Sequence, residues 1–307
     1  MNIVIYGTGG VGGYFGARLV QAGNNVTFIA RGKHLEAIQK KGLQLKSIKG
    51  DCVVYPANAT SNISEIAEID LILICVKTWQ LAEVSEIIKP VLTEDTLVVS
   101  LLNGVNNSEV LTSVLGEMNV LGGLCKIVSK VEDYGVINHL SYEPTIVFGE
   151  LNNENTDRAK KLESVFLNAG INTKLAKDIQ KEIWTKFLFI STVSAIGALT
   201  RSTIGEMIAS EEIKKIMIQT SEEIVEIAKA KGVNLPEDII EKQFHVFESQ
   251  PYNTTASLQR DIMEGKPSEL EAQNGTIVKM GIELVIPTPI NSFIYHCLLP
   301  QENKARS

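Results

Sequence analysis

The chain is poor in the residues that build metal and disulfide chemistry. Its four cysteines, at 52, 75, 125 and 297, include no CxxC pair, and its four histidines, at 34, 139, 245 and 296, stand near none of them at ligand spacing. Neither a metal site nor a Cys/His nucleophile pair has local support, and Cys75, inside an apolar run, reads as a small buried hydrophobe. Basic charge is also in deficit. The 29 Lys and Arg against 36 Asp and Glu leave a net charge of −7, which argues against the clustered cationic face that nucleic-acid binding requires. The opening MNIVIYGTGG has no basic start or small-residue cleavage site, so the expectation is a cytoplasmic protein. The uncharged helical stretch Phe187 to Thr200 is about fourteen residues and contains Ser and Gly, against the roughly 20 apolar residues that a bilayer needs. It reads as a buried helix, and no membrane partner is expected.

What the chain does have is bulk and pattern. Its 307 residues, 44% hydrophobic, exceed the size at which one core stops growing, so two domains are expected. In the first half, β-branched runs at Asn2–Tyr6, Asn25–Ala30, Asp70–Val76 and Thr96–Leu101 alternate with helical patterns at Val11–Ala22, Lys33–Lys41, Thr78–Ile88 and Asn107–Leu115. That alternation predicts an α/β, Rossmann-type doubly wound sheet. Further strands near Lys126–Lys130, Gly135–Leu140 and Thr145–Glu150 would extend it with antiparallel members, and a helix over Asp157–Asn168 would close it. From Asp178 the pattern is all-α. Helices are expected over 178–199, 211–231, 236–247, 258–264, 268–281 and 290–298, with Ser268 and Glu271 spaced as a capping box and Gln301–Ser307 frayed. The domains are placed at 1–176 and 177–307. The apolar stripes of the C-terminal helices would serve a homodimer as well as an internal core.

Directly after the first strand comes Gly7-Thr8-Gly9-Gly10-Val11-Gly12. In such a turn the first glycine makes the tight bend, the second lets the backbone approach a pyrophosphate, and the third lets the helix sit against the strand. Strand, turn, helix and second strand occur in the order a dinucleotide site needs. The second strand ends Ala30-Arg31-Gly32-Lys33, with no acid to accept from ribose hydroxyls. Arg31 is a partner for a 2′-phosphate, which favours NADP (NADPH) over NAD, although an ordinary surface arginine would look the same.

A hydride reductase also needs a group to protonate the carbonyl oxygen, and Lys186 stands at the mouth of the uncharged helical run. Partial burial there would lower its proton affinity toward that of a working general acid. Residues 186, 190, 194 and 197 share one helix face. A snorkelling lysine that covers apolar surface fits the same pattern, and periodicity alone does not choose between them.

These residues together resemble the ketopantoate reductase (2-dehydropantoate 2-reductase) family over nearly the whole chain. The matching pieces are the turn at 7–12, Arg31, and Val76-Lys77-Thr78-Trp79-Gln80. Asn103-Gly104, Ile183-Trp184-Thr185-Lys186, and Ser257 with Asp261-Ile262 and Glu269 complete them. The resemblance implies NADPH reduction of a small 2-keto acid in a cleft between a Rossmann domain and a helical domain, as in pantothenate synthesis. It implies Lys186 as proton donor, with Glu269 beside the lysine, the substrate hydroxyl and the cofactor. Lys77, Gln80 and Asn103 would lie on the cofactor, Asn103 also near the substrate, and Ser257 at the substrate carboxylate. The family pattern puts asparagines one and two turns after the lysine, whereas this chain has Ile190 and Ser194 at those substrate-binding positions. A missing amide costs about 1–3 kcal/mol of substrate binding, so a different or more apolar keto acid stands as the alternative. A non-catalytic NADPH-binding or redox-sensing protein is the reading from another class.

Overall fold

A computed structural model describes residues 1–307, which divide into two compact units. The first comprises residues 1–102 and 106–179, and the second comprises 103–105 and 180–307.

The first unit is built on a ten-stranded sheet. In chain order its elements begin with β1 (Asn2–Tyr6), α1 (Gly10–Gln21), β2 (Asn25–Ile29), α2 (Gly32–Lys41), β3 (Leu43–Ser47), β4 (Cys52–Val54) and β5 (Asn58–Thr60). They continue with β6 (Leu71–Ile74), α3 (Leu81–Ile88), β7 (Leu97–Ser100), α4 (Asn107–Leu115), β8 (Val120–Asp133), β9 (Val136–Glu150), α5 (Asp157–Asn168) and β10 (Asn172–Leu175). The strands run in the order β4-β3-β9-β8-β7-β6-β1-β2-β5, with β10 added on β9. The pairs from β5 through β8 are parallel, while β8 with β9 and β3 with β4 are antiparallel. Both faces of the central strands are covered, which is why they read as unbroken apolar runs. Ile3, Ile5, Leu71 and Leu73 belong to one core, with Phe15, Leu19, Phe28 and Phe166. Val4, Tyr6, Ile72 and Ile74 belong to the other, with Val84, Ile88 and Leu111.

The three strands expected between 126 and 150 are pieces of one long hairpin, β8 and β9. The ladder pairs Lys126 with Thr145 and then Val128 with Ser141, so Pro144, which has no N–H to give, sits in a break rather than at a strand end. Four strands lie outside the expected set: β3, β4, β5 and β10. Each is five residues or fewer, too short for an alternating pattern to stand out.

The second unit contains α6 (Ile179–Thr200, whose first residue belongs to the first unit), α7 (Ile204–Ala209), α8 (Glu211–Ala230), α9 (Ile239–Glu248) and α10 (Ser257–Met263). A π-helical turn over Glu271–Gly275, then α11 (Thr276–Leu284) and α12 (Pro289–Arg306), complete it. Val193, Ile196, Met217, Phe247, Leu258, Leu270, Ile294 and Leu298 form its core. Helix α6 is long and apolar enough to cross a membrane by length and composition alone, and 67% of its most apolar window is buried inside the protein.

Two expectations fail here. The C-terminal segment is not frayed: α12 runs to Arg306, and Glu302 is only 4% exposed because it is hydrogen-bonded to Ser268. The Ser268–Glu271 capping box does not form, for the same reason. Ser268 gives its hydroxyl to Glu302, while Glu271 accepts from the Tyr295 hydroxyl. Charged and aromatic partners on α12 outcompete the local cap.

Candidate active site

In the first unit, strand order reverses at β1, with β2 on one side and β6 on the other. Open α/β sheets bind ligands at the carboxyl ends of the strands flanking such a point. The turn Gly7–Gly12 follows β1 there, and Lys77 with Gln80 follow β6. Gly7 takes φ +102, a left-handed backbone, and a Cβ on it would meet the Cys75 carbonyl at 2.9 Å. A Cβ on Gly12 would lie 2.2 Å from the Gly7 carbonyl oxygen and 2.7 Å from Ile5, so α1 can press on β1 only with glycine there. Gly9 is the contrast, since a Cβ on it meets nothing within 4 Å. Nothing in the protein occupies that space, so no packing demand explains a glycine there. Helix α1 has no acid in its first turn and no side-chain cap, so its opening N–H groups, around Gly10, Val11 and Gly12, suit an anion. These features fit the diphosphate of a dinucleotide.

Thr8 pins this turn to β2. Its hydroxyl and its amide both donate to the Ile29 carbonyl, at 2.9 and 3.1 Å. The Thr8 carbonyl in turn lies 2.8 Å from Nε2 of His34, whose Nδ1 accepts from the Gly135 amide at 3.0 Å. Because Nδ1 accepts, Nε2 carries the hydrogen and donates to Thr8. His34 thus braces the glycine-rich turn, a role that its isolated position in the sequence did not signal. Arg31 is exposed at the start of α2, beside the Tyr6 hydroxyl at the end of β1. Burial pushes the Tyr6 phenol above its ordinary range, and the Arg31 charge and hydrogen bond pull it partly back. The Lys77 ammonium stands 5.7 Å over the Trp79 ring, and the Lys77 amide donates to Gln80 Oε1 at 3.2 Å.

In the second unit, Asn103 Nδ2 donates to Glu269 Oε2 at 2.9 Å, and Glu269 is 7% exposed. Lys186 is half-buried on α6. The preceding carbonyl, of Thr185, accepts from Gln243 Nε2 of α9 at 2.9 Å. Farther along α6, Ile190 is half-buried, Ser194 is buried, and Gly197 lets the Gln259 side chain of α10 come close, since a Cβ there would sit 2.7 Å from Gln259 Oε1. Ser257 is exposed in the first turn of α10, with Asp261 half-buried one turn on. The Asn274 side chain of the π-turn reaches the Ser191 carbonyl of α6 at 3.4 Å. Helices α9 and α10 and the π-turn thus all pack on the helix that carries Lys186.

Comparison with known proteins places this arrangement. The family model described as ketopantoate reductase PanE/ApbA matches residues 3–153, and the one described as ketopantoate reductase PanE/ApbA C terminal matches residues 178–302. The chain belongs to the ketopantoate reductase PanE/ApbA family. It is 32% identical over 295 residues to the uncharacterized oxidoreductase YkpB of Bacillus subtilis (strain 168), covering 96% of this chain and 97% of that one. It is 28% identical over 300 residues to the 2-dehydropantoate 2-reductase of Nostoc sp. (strain PCC 7120), covering 96% and 93%. The crystal structure of a PanE/ApbA family ketopantoate reductase from Ralstonia eutropha JMP134 superposes with a TM-score of 0.92 at 30% identity, over 100% of both chains. As a member of the ketopantoate reductase family the protein is an oxidoreductase, of a kind that interconverts a small keto acid and its hydroxy acid.

Proposed function

We propose that this protein is an NADPH-dependent 2-keto-acid reductase, with 2-dehydropantoate (ketopantoate) reduced to pantoate as its leading reaction, in the cytoplasm and in the service of pantothenate synthesis. The observation that carries the reading is the Asn103–Glu269 hydrogen bond in the unit that also bears Lys186. A buried carboxylate held by an amide, together with a lysine on a helix of buried small polar residues, supplies the two things a ketone needs: a proton and an oriented acceptor for the substrate hydroxyl.

Bound at the glycine-rich turn, the nicotinamide cofactor supplies the hydride to the keto carbon. Lys186 gives its proton to the ketone oxygen, so the C=O becomes C–OH and the lysine leaves neutral until water reprotonates it. Asn103 holds the Glu269 carboxylate in one orientation. Ser257, exposed at the start of α10, offers a hydroxyl to the substrate carboxylate. Arg31 takes the 2′-phosphate, Lys77 and Asn103 take the nicotinamide-ribose end, and Gln80 lies on the cofactor.

A second substrate reading rests on Ile190 and Ser194. Where an amide would answer a substrate hydroxyl, α6 presents an apolar side chain and a short buried hydroxyl. A keto acid with an apolar branch would then bind better than ketopantoate. Following NADPH oxidation with ketopantoate, 2-oxoisovalerate and other 2-keto acids separates the two. The highest kcat/KM with ketopantoate supports the first, and a branched apolar keto acid in first place replaces it with the second. Lys186→Ala tests whether the protein is a catalyst at all. A loss of about 100-fold or more in kcat with unchanged NADPH affinity is expected, and a variant with unaltered turnover would exclude the mechanism.

A further inference from the structure

Glu302 and Arg306 lie at the far end of the chain and carry none of the roles described above. We propose that they are positioning residues for Glu269: the end of α12 sets the direction in which the Glu269 side chain leaves the backbone. This inference rests on the reading of Glu269 as part of the reductase site.

The contacts converge on Ser268, the residue before Glu269. The Ser268 amide donates to both carboxylate oxygens of Glu302, each at 3.1 Å, and its hydroxyl donates to Oε2 at 2.5 Å. Arg306 donates through Nε to Oε1 of Glu302 at 2.6 Å and through Nη2 to the Ser268 carbonyl at 2.8 Å. The Leu270 amide donates to the Ser268 hydroxyl oxygen at 3.2 Å. Peptide units are planar, so fixing one atom of a unit constrains the whole. The Ser268 carbonyl belongs to the unit on one side of the Glu269 Cα, and the Leu270 amide belongs to the unit on the other. Both are tied to the same bracket, so the Cα–Cβ bond of Glu269 is aimed at its root, while Asn103 holds its carboxylate at the tip.

The energetics favour a purpose beyond packing. Glu302 is 4% exposed, and a buried carboxylate is expensive unless every acceptor is answered. An apolar side chain at 302 would fill the core without that cost, but it could not hold an amide, a hydroxyl and a guanidinium at once. The bracket also sits immediately before the π-helical turn at Glu271–Gly275, a rare geometry that needs its entry defined.

The test uses the full-length protein and three variants: Arg306→Ala, Arg306→Lys and Glu302→Gln, with Lys304→Ala on the exposed side of α12 as control. Steady-state kinetics with the best 2-keto acid, NADPH affinity by fluorescence, and amide hydrogen exchange over residues 267–272 are read together. Arg306→Ala and Glu302→Gln are expected to lower kcat by about tenfold with NADPH affinity unchanged, and to speed exchange at Glu269 and Leu270. Arg306→Lys, which keeps one charged donor, is expected to recover most of the loss. If the variants melt earlier but the folded enzyme keeps the wild-type kcat, Glu302 and Arg306 only anchor α12 and the proposal falls. Should Glu302→Gln not fold, Arg306→Ala, at the partly exposed end of the bracket, decides. If the unaltered protein reduces no 2-keto acid, the reductase reading fails instead. Exchange at Glu269 and Leu270 then still decides the bracket, and unchanged exchange in Arg306→Ala overturns it.

Discussion

Asn103 Nδ2 and Glu269 Oε2 meet at 2.9 Å although 166 positions separate them in the chain. Asn103 follows β7 by three residues, yet the tripeptide 103–105 groups with the helical unit that carries Glu269. A buried carboxylate that loses a donor is left with an unanswered acceptor and reorients. Asn103→Leu should therefore lower kcat/KM for the keto acid by about 10- to 100-fold, which corresponds to about 1.4–2.7 kcal/mol of lost transition-state stabilisation. Asn103→Asp should be worse still, because two carboxylates would then face each other. Steady-state kinetics read both, and an Asn103→Leu enzyme with wild-type kcat/KM would remove the pair from the mechanism.

The glycines of the phosphate turn separate a ligand role from a packing role. A Cβ at Gly9 enters open space, and the backbone there, at φ −84, suits any residue. Gly9→Ala should fold with an unchanged melting temperature and bind NADPH about tenfold or more weakly, because the methyl occupies room that the diphosphate needs. Gly12→Ala drives a methyl into the Gly7 carbonyl and should cost about 1–3 kcal/mol of stability or more. Thermal melts paired with cofactor titrations distinguish them, and equal melting losses in the two variants would contradict the assignment.

How much of this was readable in the sequence followed the range of the interactions. The glycine-rich turn and helices α4 and α5 depend on neighbours a few residues away, and local pattern located them. Strand β4, three residues long, and β3, where only Leu43 and Leu45 alternate with polar positions, carry too little period to register. Pro144 looks like a strand end, but β9 passes through it because the ladder opens at that point. The Ser268–Glu271 spacing is a correct local cap signal that a partner 34 residues away overrides. His34 reads as isolated because its two partners, Thr8 and Gly135, lie 26 and 101 positions away in the sequence.

The Tyr295 hydroxyl donates to Glu271, and the fold displaces its titration upward. Burial first, then the hydrogen bond and the charge of Glu271, push its pKa up to about 12. An unfolded tyrosine ionises near 10. The neutral phenol therefore stabilises the folded state fully below about pH 10, and that contribution is lost as pH rises toward 12, because the unfolded chain gives up the proton first. Tyr295→Phe should flatten the alkaline fall in melting temperature between pH 9 and 11.5. Parallel curves for variant and wild type would show that Tyr295 does not control it.

The proposed preference for NADPH rests on Arg31. Its guanidinium is exposed, next to the Tyr6 hydroxyl at the end of β1, and no acid follows β2 to accept from ribose hydroxyls. Glu83 lies close enough to act on the same phenol, so a carboxylate already shares the neighbourhood. Removing the arginine charge would leave that acid to oppose a 2′-phosphate. Arg31→Asp should raise KM for NADPH by about 100-fold while changing KM for NADH by less than about threefold, since only the phosphorylated cofactor loses a charge-assisted pair. Arg31→Lys should fall between, because a point charge replaces a bidentate fork. Glu83→Gln is expected to tighten NADPH slightly without touching NADH. Equal losses for both cofactors in Arg31→Asp would mean that the arginine supports the turn rather than reads the phosphate, and the proposed NADP preference would fall with it.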